Sequence, residues 1–358
     1  MLETVHGGRV EEAAQDLGLP IGEILDFSAN INPLDYDFDF RAALISSLDT
    51  IHHYPDIRAG SLTEDMASQS GLPAWTIQAG SGSTPLIYQL ARILKTENHI
   101  IVAPAFAEYG AALSATGIKK INYHLLSEEN GFLLTQEDVL SVISKNPELV
   151  ILANPANPTG LKVPSRSLSQ FIEASNGEQG FWLVIDEAFM DFCQENHSLE
   201  KTILDNPRLI ILKSLTKLFA IPGLRLGYLA CGNRRLMDTF HSTTEPWSIN
   251  SIAQHTGRFL LTKKNFISKT PEHTARLRER LVSNISPYVE TFPSQANFVM
   301  GRLKRGNKSV LIKHLYKKGI LVRDLDGMPG LPDGFIRLAV RPLSEISLLT
   351  KALEEYYA

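Results

Sequence analysis

Short apolar runs alternate with amphipathic stretches through the middle of the chain. HIIVAP (99–104), LVILANP (149–155), WLVIDEA (182–188) and LIILKSL (209–215) are rich in Val, Ile and Leu, and each ends in polar or turn residues. Such runs predict buried strands, whereas EYGAALSATG and PSRSLSQFIEAS between them predict helices. The alternation favours an α/β fold with a mainly parallel sheet covered on both faces. Ligands of such sheets bind beyond the carboxyl ends of the strands.

A different pattern begins after about residue 246. PEHTARLRERLVSNI predicts a long polar helix, ANFVMGRL, GILVRDL and GFIRLAVRP predict shorter strands, and SEISLLTKALEEYY predicts a terminal helix. We therefore expect a smaller α+β domain over 247–358 beside a large domain over 36–246. Residues 1–35 contain the turn-rich LDFSANINPL, and we expect them to lie as an arm across the domain junction.

The composition is that of a soluble globular protein, because 44% of the 358 residues are hydrophobic and 21% are charged. A net charge of -4 without a long basic run argues against nucleic acid or an anionic membrane as a partner. No run is apolar enough to span a bilayer, and the N-terminus lacks the apolar core of a signal peptide. Cys193 and Cys231 stand alone, which fits a reducing cytoplasm. His52-His53 has no carboxylate cluster beside it, so we predict no metal site.

Three polar side chains follow three consecutive predicted strands. Asn157 lies in NPANPTG, Asp186 in VIDEAF and Lys217 in SLTK. They are about 30 residues apart, the length of one strand–helix repeat, which places them along one rim of the sheet. An amide, a carboxylate and a lysine suit a pyridoxal phosphate site. There the lysine binds the aldehyde, the carboxylate pairs with the ring nitrogen, and the amide donates to the ring oxygen.

Each of these residues also has a simpler explanation when it is taken alone. Asp186 at a strand end is often only a helix cap. Lys217 is most often a surface charge, and NPANPTG can be a rigid turn. The order and spacing of the three favour a shared cofactor site over three separate explanations.

AGSGSTPLIYQLARILK indicates a phosphate site. A short strand ends near Ala79, and an apolar helical stripe follows, formed by Leu86, Leu90, Ile93 and Leu94. Thr84 suits the N-cap of this helix and Pro85 suits its first position. The small residues before the helix would expose backbone N–H groups to an anion. Ser214 and Arg225 would add a hydroxyl and a positive charge.

A dinucleotide-binding loop is the alternative for the same segment. GSGSTP lacks the third glycine of G-x-G-x-x-G, since Pro85 stands there. The next strand ends in Ala103-Pro104, without the acid that binds a ribose. The dinucleotide alternative is therefore disfavoured.

The motifs NPANPTG, DEAFMDF and SLTKLFAIPGLRLGY, in this order and spacing, resemble the fold-type I superfamily of pyridoxal-phosphate-dependent aminotransferases. The resemblance covers nearly the whole chain and is closest to histidinol-phosphate aminotransferases and threonine-phosphate decarboxylases. HGG (6–8), LDFSANINPL (25–34), PAFAEYG (104–110) and EPWSIN (245–250) are more similar to the CobD-like decarboxylases of cobalamin biosynthesis. The large domain would then bind pyridoxal 5'-phosphate.

The resemblance implies roles for the matching residues. Lys217 would hold the cofactor and move protons, Asp186 would pair with the ring nitrogen, and Asn157 with the ring oxygen. Phe106 would stack on the ring. Tyr54 would reach the cofactor phosphate of a neighbouring subunit, which implies a homodimer. The residues that would bind the phosphate within the subunit are Ser81, Gly82, Ser83, Ser214 and Arg225.

The substrate is expected to contact the arm and the smaller domain. His6 lies beside two glycines, which allow close approach of the backbone to an anion, although an N-terminus is often disordered. Arg341 is a further candidate for binding substrate charge, with a surface position as its alternative. The expected substrate-binding residues are His6, Gly7, Asn30, Arg323 and Arg337.

Three residues depart from the pattern of the family. Phe189 stands where many relatives have a tyrosine that makes a second bond to the ring oxygen, so that bond is absent or replaced. Ser81 and Pro85 stand where the decarboxylases have asparagine and glutamate. The helix start that would bind the phosphate survives both of these changes.

The implied reaction is the decarboxylation of L-threonine O-3-phosphate to (R)-1-amino-2-propanol O-2-phosphate. Serine phosphate differs from this substrate by one methyl group, which is worth only about 1–3 kcal/mol in a pocket. The alternative is a histidinol-phosphate aminotransferase, which would use the same cofactor residues. A cofactor-binding regulator is disfavoured, because Lys217 is intact and we expect no DNA-binding domain before the arm.

Overall fold

The structure is a computed structural model that describes residues 7–195 and 197–358. His6 therefore lies outside the described residues. The strands, in chain order, are β1 (Leu25–Asp26), β2 (Ile77–Gly80), β3 (His99–Ala103), β4 (Tyr123–Leu125), β5 (Leu149–Ala153), β6 (Trp182–Asp186), β7 (Leu209–Ser214), β8 (Gly227–Cys231), β9 (Val289–Thr291), β10 (Phe298–Leu303), β11 (Ile320–Leu321), β12 (Arg323–Asp324) and β13 (Phe335–Ala339).

Helices separate most of these strands. They are α1 (Val10–Leu17), α2 (Phe40–Ser47), α3 (Gly60–Ser70), α4 (Ser83–Leu94), α5 (Glu108–Ser114), α6 (Gln136–Ile143), α7 (Ser165–Asn176), α8 (Leu215–Leu218), α9 (Arg234–Thr243), α10 (Ser251–Leu261), α11 (Lys264–Ile285), α12 (Lys308–Lys317) and α13 (Leu343–Tyr357). Among the helices of the described ranges, none combines the length and the apolar content that crossing a bilayer requires.

The largest sheet has seven strands in the order β2-β8-β7-β6-β5-β3-β4. The strands β4, β3, β5, β6 and β7 pair in parallel, and β8 runs antiparallel to both of its neighbours. Each of the four apolar runs forms one of the central strands. The predicted α/β fold with a mainly parallel sheet is confirmed.

The central strands are apolar along their whole length because both faces of the sheet are covered. On β7, Ile211 faces the core that α3, α6, α7 and α10 cover. Its neighbours Ile210 and Leu212 face the core that α4, α5 and α9 cover. Successive side chains of a strand point to opposite faces, so a strand buried on both sides needs an uninterrupted apolar run.

A second, antiparallel sheet has the strand order β12-β13-β10-β9 and lies in the C-terminal part of the chain. It shares an apolar core with α11 and α13, in which Leu281 and Leu349 are fully buried. The predicted long polar helix begins earlier than expected, at Lys264, and contains Pro271.

The segment after α1 forms backbone hydrogen bonds both with the C-terminal part of the chain and with the segment that contains Lys217. Strand β1 pairs in parallel with β11, and the buried Phe27 accepts a hydrogen bond from Ala339 N at 2.8 Å. Farther along, Asn32 N donates to Lys217 O at 3.1 Å. This segment therefore contacts the C-terminal core and the lysine segment together. The domain boundaries at residues 35 and 246 stay predictions.

Candidate active site

A cavity of about 430 Å³ lies beyond the carboxyl ends of the central strands. The last residues of β5, β6 and β7, which are Ala153, Asp186 and Ser214, line its floor. Three neighbouring parallel strands end at the same edge of the sheet, so side chains that are far apart in the sequence meet there. The predicted site residues that line this cavity are Gly7, Asn30, Ser83, Phe106, Asn157, Asp186, Ser214, Lys217, Arg225, Arg323 and Arg337.

Lys217 lies in the short helix α8 and points into the cavity, so the simpler explanation of a solvated surface lysine is wrong. Burial, and then the charges of Arg337 and Arg225, lower its pKa from 10.5 to about 8, against the opposing charge of Asp186. A lowered pKa increases the fraction of neutral amine, which is the form that attacks an aldehyde. The site thus prepares this lysine for a carbonyl ligand.

Asp186 ends β6 with only 7% of its surface exposed. Tyr109 Oη donates to its Oδ2 at 2.6 Å, and Ala188 N donates to its Oδ1 at 2.9 Å. The following 3₁₀ turn starts after Phe189 and has no side-chain cap, so Asp186 is not a helix cap. Burial raises the pKa of this carboxyl, while the two hydrogen bonds and the charges of Lys217 and Lys213 oppose that rise.

Asn157 and Arg337 are joined by a hydrogen bond from Arg337 Nη1 to Asn157 Oδ1. Arg337 Nη2 donates to Ser28 O at 2.9 Å, and sequence reasoning had not identified this serine. Because the oxygen of Asn157 is engaged by the guanidinium, the NH₂ group of this amide is the one that would serve a ring oxygen.

Arg323 and Arg337 make one end of the cavity strongly positive. They stand directly opposite each other on β12 and β13, an arrangement that is destabilising for like charges unless an anion lies between them. Burial, and then the charge of Arg323, lower the pKa of Arg337. Within the described ranges, the buried Nε of Arg337 and the buried Oδ1 of Asn30 have no hydrogen-bond partner. Both side chains line the cavity, and buried polar groups are normally hydrogen-bonded, so a donor and an acceptor are available there to a ligand.

The phosphate cradle, our name for the start of α4 together with Ser214 and Arg225, differs in detail from the prediction. Helix α4 begins at Ser83 with Gly82 as its N-cap, so Thr84 is not the N-cap and Pro85 is not the first helical residue. Gly82 has φ of +88°, and a Cβ there would lie 2.7 Å from Arg225 Nη2. Only glycine combines this backbone conformation with so close an approach of the guanidinium.

The cradle nevertheless has the groups that a phosphate requires. The first turn of α4 supplies backbone N–H groups, and Ser83 and Thr84 both line the cavity. Ser214 Oγ lies 2.7 Å from the Oγ1 of Thr216, which sequence reasoning missed although it stands beside Lys217 in SLTK. Ser81 is half-buried and does not line the cavity.

Three other residues that the sequence singled out have different contacts. Phe189 lines the cavity and packs edge-on against Phe298 with ring centroids 4.9 Å apart, so it offers an apolar ring and no hydroxyl to a cofactor. Arg341 binds both carboxylate oxygens of Glu345 and lies outside the cavity, so the prediction that it binds substrate charge is not supported. Tyr54 is 83% exposed and stands outside the cavity of its own chain.

The residues present fit pyridoxal phosphate at each of its functional groups. Lys217 suits the aldehyde, Asp186 the ring nitrogen, and the amide of Asn157 the ring oxygen. The α4 start and Arg225 suit the phosphate, with a glycine where a side chain would collide with the guanidinium. Phe106 lines the cavity and contacts Tyr109 edge-on with centroids 5.7 Å apart.

Comparison with known proteins agrees with this geometry. The family model "aminotransferase class I and II" matches residues 22–355. The chain is 36% identical to the threonine-phosphate decarboxylase of Salmonella typhimurium, over 99% of this chain and 96% of that protein. It is 26% identical to a histidinol-phosphate aminotransferase of Methanococcus maripaludis, over 98% of this chain and 95% of that one.

A solved structure shares the whole architecture. The histidinol-phosphate aminotransferase from Clostridium acetobutylicum superimposes with a TM-score of 0.84 at 26% identity, over 93% of this chain and 99% of that chain. The sequence-based resemblance to these enzymes is confirmed. The chain therefore belongs to the aminotransferase class I and II family, and the predictions of its fold and of pyridoxal phosphate as its cofactor are confirmed.

Proposed function

We propose that this protein is a cytoplasmic carboxy-lyase that converts L-threonine O-3-phosphate to (R)-1-amino-2-propanol O-2-phosphate in cobalamin biosynthesis. The observation that carries the proposal is the 36% identity, over nearly the full length of both chains, to a threonine-phosphate decarboxylase. The chain is also similar to histidinol-phosphate aminotransferases, which keeps transamination of histidinol phosphate as the second candidate.

The charges in the cavity support a substrate with two anionic groups. Arg225 serves the cofactor phosphate, which leaves Arg323 and Arg337 for the substrate. A carboxylate and a phosphate dianion each need a cationic partner, and the planar fork of arginine suits both. The unpaired Nε of Arg337 and Oδ1 of Asn30 supply a donor and an acceptor beside them.

The residues around the cavity can carry out each proton movement. When bound, the cofactor takes up the electron pair that the breaking Cα–carboxylate bond releases. Asp186 keeps a negative charge at the position suited to the ring nitrogen and so holds a proton there. Lys217 Nζ would donate a proton to Cα after carbon dioxide has left. Arg323 and Arg337 hold the anionic groups and thereby orient the bond that breaks.

One experiment separates the two candidate reactions. The holoenzyme is given L-threonine O-3-phosphate without a keto acid, and released carbon dioxide is measured. In parallel, it is given histidinol phosphate with 2-oxoglutarate, and glutamate is measured. We expect carbon dioxide from the first mixture and little glutamate from the second. Brisk glutamate formation without carbon dioxide would make the protein an aminotransferase instead.

The role of Lys217 is tested separately from the reaction. The purified protein should absorb in the visible range from its covalently bound cofactor, and Lys217→Ala should lose that band. Borohydride treatment followed by peptide mapping should label Lys217 in the wild-type chain. A borohydride-stable adduct that persists in Lys217→Ala would refute the assignment.

We also propose that two copies of the chain form the working enzyme. Tyr54 packs against Trp247 with ring centroids 4.7 Å apart and ring planes tilted by 33°, and both rings are exposed. Other large exposed side chains in the same stretch are Ile45, Leu48, Ile51 and Ile57. Several exposed apolar side chains in one stretch of chain are typical of an interface. Sedimentation should give a dimer. In that dimer, Tyr54→Phe should weaken cofactor retention without dissociating the subunits.

The N-terminal arm is proposed to close the substrate end of the cavity. Gly8 N donates to Ser28 Oγ at 2.8 Å, and a Cβ at Gly7 would lie 2.3 Å from Ser28 O, the atom that also accepts from Arg337. Gly7→Ala should therefore raise the substrate KM strongly while cofactor binding is unchanged. Gly22→Ala is the matched control, since no atom lies within 4 Å of its Cβ position. An unchanged KM in Gly7→Ala would contradict the proposed closure.

A further inference from the structure

A buried tyrosine that the sequence did not identify as a site residue lines the cavity and contacts the carboxylate that would serve the ring nitrogen. Tyr109 lies on α5 with 1% of its surface exposed, and its hydroxyl donates to Asp186 Oδ2 at 2.6 Å. The two residues are 77 positions apart in the chain, so only the fold brings them together. A carboxylate oxygen has two lone pairs, which leaves Oδ2 able to accept a second hydrogen bond from the cavity.

Burial and hydrogen bonding act in opposite directions on the ionisation of Asp186. Burial is the largest influence and raises the pKa of the carboxyl. The groups that oppose burial are the hydroxyl of Tyr109, the backbone N–H of Ala188, and the charges of Lys217 and Lys213. The charge of Lys217 acts on the carboxylate only while its amine is free and protonated. The hydrogen bond from Tyr109 is the largest of the opposing effects and does not depend on that charge.

Tyr109 itself remains a donor throughout the working pH range. Burial, and then the nearby charge of Asp186, raise its pKa well above the ordinary value of a phenol. The hydroxyl therefore does not exchange its proton with Asp186. Its ring is also held by packing, because Tyr109 belongs to the core between the sheet and α4 and contacts Phe106 edge-on.

We propose that Tyr109 is a positioning residue, whose hydroxyl keeps the Asp186 carboxylate ionised and oriented so that the cofactor ring nitrogen stays protonated. This inference rests on the proposed role of Asp186 toward the ring nitrogen. It does not depend on whether the enzyme decarboxylates or transaminates, because both reactions need the protonated ring as an electron acceptor.

The test uses the holoenzyme, reconstituted with cofactor that carries ¹⁵N in the ring, without substrate. The ¹⁵N chemical shift reports directly whether the ring nitrogen is protonated. In the wild-type protein we expect the pyridinium shift, unchanged between about pH 6 and pH 9. Tyr109→Phe removes only the hydroxyl, and we expect its ring shift to move toward that of neutral pyridine. Its kcat should fall roughly ten- to hundredfold, which is the loss of one charged hydrogen bond, with KM nearly unchanged.

Tyr228→Phe is the matched control. Tyr228 is also buried, at 5% exposure, and its hydroxyl donates to the carboxylate of Glu200 at 2.7 Å, outside the cavity. We expect this variant to lose thermal stability while its ¹⁵N shift and kcat match the wild-type values. A merely structural role of Tyr109 would give the same result in both variants.

The outcomes distinguish failure of this inference from failure of the proposed site. A wild-type shift in Tyr109→Phe, together with a displaced shift in Asp186→Asn, overturns the role of Tyr109 alone. A wild-type shift in both variants shows that Asp186 does not serve the ring nitrogen. If Tyr109→Phe does not fold, the wild-type titration decides. A ring nitrogen that loses its proton between about pH 6 and pH 9 overturns the inference.

Discussion

The amine of Lys217 should titrate far below an ordinary lysine, and this can be measured in the protein freed of cofactor. Burial is the main cause of the lowered pKa, followed by the positive charges of Arg337 and Arg225, while Asp186 acts in the opposite direction. Two changes test this prediction, a change of pH and the removal of the Arg337 charge.

The size of the effect follows from the change in pKa from 10.5 to about 8. At pH 7, about a tenth of an amine with the lower value is neutral, compared with about one part in three thousand for the ordinary one. Lys217 should thus react about 300-fold faster than an exposed lysine of equal intrinsic reactivity. Its reaction rate should level off above about pH 8.

The assay measures the initial rate of covalent cofactor capture at a series of pH values, with cyanoborohydride as the trap and mapping of the labelled peptide. Arg337→Met should raise the midpoint, because a positive charge near the amine is lost. Arg341→Met is the matched control, since Arg341 pairs with Glu345 outside the cavity and should not change the midpoint. A wild-type rate that climbs without levelling to pH 10 would show that the pKa of Lys217 is not lowered.

Two further changes test the cradle and the buried charges. Gly82→Ala places a Cβ 2.7 Å from Arg225 Nη2 at φ of +88°. It should weaken cofactor affinity at least tenfold, and it should lower the melting temperature of the cofactor-free protein only modestly, as a non-glycine residue at this φ does; equal affinity, measured by reconstitution, would contradict this. Fully buried Glu187 has its pKa raised from 4.5 to about 7, mainly by burial. The folded state therefore binds the proton of the Glu187 carboxyl more tightly than the unfolded state does. The stability that this proton contributes is complete below about pH 4.5 and is lost as the pH rises through 7. In the wild-type protein, the unfolding free energy should fall by up to about 3 kcal/mol over this pH window. Glu187→Gln should make that fall smaller. Urea titrations at pH 5 and pH 7.5 give the unfolding free energy at each pH. An equal fall between the two pH values in Glu187→Gln and in the wild-type protein would exclude this role.

Much of the fold follows from local patterns in the chain. The strands β3, β5, β6 and β7 coincide with the four apolar runs, because a parallel strand buried on both faces requires such a run. Asn157, Asp186 and Lys217 converge as predicted, because strand–helix repeats of similar length bring their ends to one edge of the sheet. These features depend on short stretches of sequence and on a regular spacing.

Lys213 shows where local patterns were insufficient. It lies in LIILKSL, which predicts a buried strand, and the structure pairs its amine with Asp191 at 3.2 Å and with Glu187 at 3.7 Å. Burial lowers the pKa of this lysine, but the carboxylates around it more than offset that effect. A lysine in an apolar run carries no sign of the carboxylates that will surround it, because they come from other segments.

The details of the site also required the fold. Thr84 resembled a helix cap, yet the N-cap is Gly82, two residues earlier, where the close approach of Arg225 admits only glycine. The contacts of Tyr109 with Asp186 and of Arg337 with Ser28 join segments that lie far apart in the chain. Hydrogen bonds of this kind depend on distance and direction to within a few tenths of an ångström. Residue type and spacing do not contain that information, and it arises only when the sheet, the helices and the arm pack against one another.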